Sequence, residues 1–120
     1  MNLYVDGGCE GNGTANAHGY GSFLLEGDRP VRLDFGTGVT NNICEYKALI
    51  AALEYLKEMG IRNVDIFSDS ALVVNQTAGK WNINVPALKP LCAEASRLMR
   101  EIGASLTWVR RDTIVEKLGH

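Results

Sequence analysis

The chain has 120 residues, 46% of them hydrophobic and 22% charged, the balance of one ordinary globular domain, 1–120, with enough apolar material for a core. A net charge of −2 and a pI near 5.6 argue against broad, non-specific nucleic-acid binding, although bound metal can reverse the sign of an acidic site. There is no apolar run of membrane-spanning length and no leader-like start, and Cys9, Cys44 and Cys92 match neither a disulfide framework nor a paired zinc spacing, so the expectation is a cytoplasmic chain with reduced thiols and no membrane association.

In chain order, Asn2-Leu-Tyr-Val-Asp6 reads as a short strand, followed by the glycine-rich Gly7-Gly-Cys-Glu-Gly-Asn-Gly13. A second strand is expected over about 17–26, a turn at Gly27-Asp28, and a third strand over about 30–37, which together make an antiparallel meander. From Asn42 to Met59 the period changes to that of a helix, with Ala48, Leu49, Ala52, Leu53 and Leu56 recurring at three and four, and Gly60 ends it. A strand over 63–67 runs into a helix over about 70–78, stopped by Gly79. Pro86 marks the expected start of a helix reaching Ile102, with Leu88, Leu91, Cys92, Ala95, Leu98 and Met99 on one face. Ala104–Val109 is a last strand, and only a stub of helix can follow. These elements predict an α/β fold: a five-stranded mixed sheet, antiparallel meander then parallel strands, with helices on both faces.

Three acids stand where acids are locally costly. Asp6 and Asp69 each follow an apolar strand segment, and in open α/β sheets ligands collect beyond the carboxyl ends of strands. Glu45 is in line with Ala48, Leu49, Ala52 and Leu53, so its carboxylate lies on the apolar stripe of its helix. Gathered carboxylates resist ionising together unless a cation or a proton joins them, which suggests a divalent-metal site. Structural accounts compete. Asn42 and Glu45 have the spacing of a capping box, and Asp69 could cap the helix after it. The glycine-rich segment could be a loose turn, and it is no phosphate-cradling P-loop, since no helix and no Gly-Lys-Ser follow.

Taken together, Tyr4-Val-Asp-Gly-Gly-Cys-Glu-Gly-Asn-Gly13, Thr40-Asn-Asn-Ile-Cys-Glu-Tyr-Lys-Ala48, Ser68-Asp-Ser-Ala-Leu-Val-Val-Asn75, Pro86-Ala-Leu-Lys-Pro90 and Trp108-Val-Arg-Arg111 resemble the type 1 ribonuclease H family. The likeness covers essentially the whole chain, and is to compact bacterial and archaeal-like members without a basic protrusion or a separate hybrid-binding domain. It implies the ribonuclease H-like fold. It also implies metal-dependent endonucleolytic cleavage of the RNA strand of RNA–DNA hybrids, leaving 5′-phosphate and 3′-hydroxyl ends, by two Mg²⁺ or Mn²⁺ ions about 3.5–4 Å apart.

By that resemblance Asp6, Glu45 and Asp69 are catalytic metal ligands. Gly7, Gly8, Cys9, Asn12, Asn41 and Asn42 would meet the minor groove of the hybrid, where 2′-hydroxyls are displayed, and Thr40 a phosphate of the DNA strand. The fourth family acid lies in an Asn-x-x-Ala-Asp pattern. Here Val115-Glu116 aligns with Ala-Asp, making Glu116 the fourth ligand with Asp112 the competing candidate, although the preceding loop is about two residues short. The histidine that many members carry on that loop is replaced by Arg110 and Arg111, while His18 reads as packing or surface and His120 is terminal. The expected partner is the hybrid, with no obligatory protein partner. The other reading is a hybrid- or RNA-binding module of the same fold, catalytically impaired by its altered C-terminal helix.

Overall fold

The structure is a computed structural model that describes residues 1–119; His120 lies outside them. There are five strands, β1 (Asn2–Glu10), β2 (His18–Leu25), β3 (Val31–Thr37), β4 (Asp65–Ser68) and β5 (Ser105–Trp108), and four helices, α1 (Asn41–Glu58), α2 (Ala71–Thr77), α3 (Leu88–Ile102) and α4 (Arg111–Leu118), among the described residues, in the order β1-β2-β3-α1-β4-α2-α3-β5-α4. The sheet order is β3-β2-β1-β4-β5. β1–β2 and β2–β3 are antiparallel, and β1–β4 and β4–β5 are parallel. This is the mixed sheet that the alternation of elements predicts.

Side chains along a strand point alternately to its two faces, and the two faces have different helices. Leu3 and Val5 of β1, Phe23 and Leu25 of β2 and Ile66 of β4 bury against Leu49, Leu53 and Leu56 of α1, with Leu88, Ala95, Leu98 and Ile102 of α3 in the same cluster. On the opposite face Tyr4, Leu24 and Phe67 meet Ile114 and Leu118 of α4. Tyr4 and Phe67 stack at 5.4 Å between ring centroids. Asp6 stands two residues beyond Tyr4 on β1 and so shares the α4 face, while Asp69 follows the end of β4, two residues beyond Phe67.

Several boundaries differ from the sequence expectation. β1 does not end at Asp6: it passes through Gly7 and Gly8 and pairs with β2 as far as Glu10↔His18, while its pairing with β4 is last seen at Tyr4↔Phe67. Asp6 therefore lies where β1 leaves β4, rather than at a strand end. The reason Gly7 is glycine is the close approach of α1: a Cβ there would collide with the Cys44 carbonyl and come within 2.8 Å of the Glu45 backbone nitrogen. Pro86 and Ala87 form a turn, with α3 beginning at Leu88. Trp81 and Trp108 are exposed, at 50% and 48%; Trp108 lies on the edge strand β5. Lys80, Lys89, Arg97 and Arg100 are exposed.

Both capping alternatives give way. Thr40, not Asn42, caps α1, its Oγ1 accepting from the Ile43 N–H at 3.3 Å. Ser70, not Asp69, caps α2, its Oγ accepting from the Val73 N–H at 3.2 Å. Glu45 and Asp69 are thereby relieved of the structural duties that competed for them.

Candidate metal centre

Asp6, Glu45 and Asp69 converge, with one carboxylate oxygen from each lying within 4.8 Å of the others. Asp6 comes from β1 and is 1% exposed; Asp69 follows β4 and is 7% exposed. Glu45 comes from the second turn of α1, and its Oε1 accepts the Gly7 N–H at 2.6 Å. That bond ties the helix carboxylate to the strand residue next to Asp6. The position of Asp69 is fixed from behind: its carbonyl accepts the Trp108 indole N–H at 3.2 Å.

The electrostatics of the cluster follow from this crowding. Burial, and then the charges of Asp6 and Asp69, push the Glu45 carboxyl up to about 9. Tyr20, whose hydroxyl would meet a Cβ at Gly8, is raised by burial and then by Asp6. Three oxygen donors of this kind suit a hard divalent cation, and a proton held on Glu45 is what such a cation would expel. Among the described residues this is a donor set that fits the metal chemistry the sequence predicts.

The acids expected from α4 do not join them. Asp112 is exposed, faces Arg110 across 3.3 Å and accepts the Thr113 N–H, and Glu116 is exposed. The register of α4 explains why. Ile114 and Leu118 are its buried residues, three and seven positions beyond Arg111, so Arg111 shares their sheet-facing side while Glu116 lies roughly 140° round the helix from Arg111. Arg111 is the site residue that the sequence reading left unassigned. Its Nη1 donates to both Asp6 oxygens at 3.2 Å and to Asp69 Oδ2 at 2.9 Å. The Asp69 bond is the chief cause of the upward shift of the guanidinium. The spacing Arg111, Ile114, Leu118 was the signal that could have found it.

The residues expected to bind substrate gather along one rim. The Cys9 N–H donates to Asn41 Oδ1 at 2.7 Å, and the Asn41 N–H donates to Asn12 Oδ1 at 3.1 Å. Together these bonds link the glycine-rich segment to the start of α1. Each amide oxygen is spent on a backbone donor, so what Asn12 and Asn41 chiefly offer a ligand is NH₂. Thr40 and Asn42 are exposed, Gly7 is half-buried and Gly8 buried, and a cleft of about 420 Å³ is lined by Glu10, Tyr20, Arg32 and Arg111 among others. His18 is at the surface, 3.0 Å from Asp34.

Residues 14–116 match the model of a family described as reverse transcriptase-like. The ribonuclease HI of Halobacterium salinarum is 35% identical over 117 residues, covering 94% of this chain and 58% of that protein. The chain thus spans less than two thirds of the length of this curated relative. The crystal structure of RNase H1 from the same halophilic archaeon superposes with a TM-score of 0.80 at 32% identity, covering 94% of this chain and 87% of that one. The crystal structure of LC11-RNase H1 in complex with an RNA/DNA hybrid gives a TM-score of 0.79 at 28% identity, covering 96% and 88%. No helix among the described residues is long and apolar enough to cross a membrane.

Proposed function

Because the chain belongs to the type 1 ribonuclease H family, we propose that it is a metal-dependent endonuclease that hydrolyses the RNA strand of RNA–DNA hybrids, with residues 1–120 acting as one catalytic domain in the cytoplasm. The observation that carries this reading is the convergence of Asp6, Glu45 and Asp69 beside the rim joined by Asn12 and Asn41.

Asp6, Glu45 and Asp69 would hold the cations, of which Mg²⁺ and Mn²⁺ best suit an all-oxygen set. When bound, divalent ions supply an activated water and Lewis-acid stabilisation of the charge that develops in phosphodiester cleavage. The chain's own residues do the rest. Gly7 and Trp108 keep Glu45 and Asp69 in place. The amide NH₂ groups of Asn12, Asn41 and Asn42 recognise acceptors in the minor groove, including the 2′-hydroxyls that distinguish RNA from DNA. Gly7, Gly8 and Cys9 let the backbone approach that groove, and Thr40 sits beside the DNA-strand phosphates. Water attacks phosphorus in line with the 3′-oxygen, which leaves, giving 5′-phosphate and 3′-hydroxyl ends. The proposal rests on three acids; Glu116 and Asp112 lie outside their group.

One observation favours the second reading, a hybrid-binding module with impaired catalysis: a guanidinium stands between two of the three acids. One experiment separates the readings. Strand-labelled hybrid, double-stranded DNA, double-stranded RNA and single-stranded RNA are incubated with the protein in Mg²⁺, in Mn²⁺ and in EDTA. Metal-dependent cutting confined to the RNA strand of the hybrid is the expected result; hybrid binding without cutting in either metal assigns the chain to the second reading.

A further inference from the structure

Arg111 is an unusual neighbour for a metal centre. One nitrogen, Nη1, contacts three carboxylate oxygens from two acids at 2.9–3.2 Å, so it lies at the focus of Asp6 and Asp69 rather than beside them. A magnesium-sized ion takes its oxygens at about 2.0–2.1 Å and would need the same lone pairs. Guanidinium and ion therefore exclude one another between Asp6 and Asp69, while Glu45 is held separately by Gly7.

The setting of Arg111 argues that this contact is made to be broken. The two aspartates are almost fully buried, but the Arg111 side chain is 57% exposed, so it can leave without opening a cavity. It begins α4, where the helix dipole disfavours a cation. The attraction of the acids offsets that cost only while they have no other cation. An open cleft that Arg111 itself lines gives the released side chain somewhere to go.

We propose that Arg111 is a tethered counter-ion that keeps the place of a metal between Asp6 and Asp69 and swings out when the ion binds, so that the chain carries its own competitor for metal. The inference rests on the metal-centre reading above and adds a control on loading. If the guanidinium is docked in about nine of ten free molecules, it weakens apparent metal affinity about tenfold. Removing it restores that factor. In metal-free protein the same removal leaves the acids without their neutralising partner and lowers the melting temperature.

The test is calorimetric titration of Mn²⁺ into hybrid-free wild-type protein, Arg111→Ala and Arg111→Gln, with thermal melts in EDTA and in saturating Mn²⁺. Both variants should bind Mn²⁺ about tenfold more tightly than wild type. They should melt below it in EDTA and close the gap in Mn²⁺. Equal or weaker Mn²⁺ binding by the variants, with wild type still binding, overturns the inference and leaves the metal centre standing. Failure of all three proteins to bind Mn²⁺ overturns the metal-centre reading and this inference with it. A measurement on unaltered protein guards against misfolded variants. The ¹⁵N resonance of the Arg111 side chain, followed with diamagnetic Mg²⁺, should shift as the site fills; a resonance unmoved at saturation overturns the inference.

Discussion

At the scale of single residues, the acids have separable duties. Asp69 contributes a carboxylate oxygen to the cluster, and its backbone is anchored through Trp108. Asp69→Asn keeps the shape and removes the charge, so cleavage should fall by more than the roughly 100-fold that losing an outer-shell partner of a metal site costs. The circular dichroism spectrum should stay unchanged; near-full activity in labelled-hybrid assays would refute the site assignment. Glu45 gives a pH signature. Its folded carboxyl titrates at about 9, against an ordinary 4.5, so between those values the folded protein keeps a proton that the unfolded chain releases. Stability of the metal-free protein is then lost as pH rises through that window. Glu45→Gln, whose amide oxygen can still accept the Gly7 N–H, removes this dependence. In EDTA the variant should gain little at pH 5 and about 4 kcal/mol more at pH 8, three pH units at about 1.4 kcal/mol each, read by denaturant melts at both pH values; an equal gain at both would show that the carboxyl titrates normally.

At the scale of elements, the informative comparison is between α1 and α4. The stripe of Ala48, Leu49, Ala52 and Leu53 is long enough to fix the face of Glu45, and the structure buries those four residues. The eight residues of α4 have too few apolar positions to fix a register by period alone. Alignment to a family pattern through a loop of different length put Glu116 where the helix instead turns Arg111 to the sheet. The extension of β1 through Gly7 and Gly8 was illegible for a related reason: glycine is poor strand material, and what requires it is the first turns of α1, distant in sequence. Two predictions follow from these contacts. Glu116→Gln and Asp112→Asn should each retain cleavage within about threefold of wild type, since exposed substitutions away from a site cost little; loss of activity in either would make that acid a ligand. Gly7→Ala should lose most activity and stability together, because its methyl group displaces the helix turn that holds Glu45. Overpacking of this kind costs about 1–3 kcal/mol, measurable by denaturant unfolding.

At the scale of the whole molecule, charge decides how the chain holds a polyanion. Twelve lysines and arginines face fourteen acids, and several cations are already engaged. Arg97 pairs with Glu94 and Glu101, Lys57 with Glu101, Arg110 with Asp112, and Arg111 with Asp6 and Asp69. Those four leave eight lysines and arginines outside the ion pairs of the described residues, but the recognition rim of Asn12, Asn41 and Asn42 is itself uncharged. Each phosphate neutralised on duplex DNA steepens the dependence of log affinity on log salt by about 0.9. A rim that works by neutral hydrogen bonds should therefore bind hybrid weakly, with a slope no steeper than about −3. The inactive Asp69→Asn protein allows this to be measured by fluorescence anisotropy between 50 and 200 mM salt, a range over which a strongly cationic binder loses about 10³-fold or more. Weak binding has a kinetic counterpart. The wild-type protein should leave its substrate after each cut, so that long RNA intermediates accumulate in solution before short products appear. A slope near −6, or short products formed while most hybrid is still intact, would mean that a cationic surface distant from the acids grips the duplex.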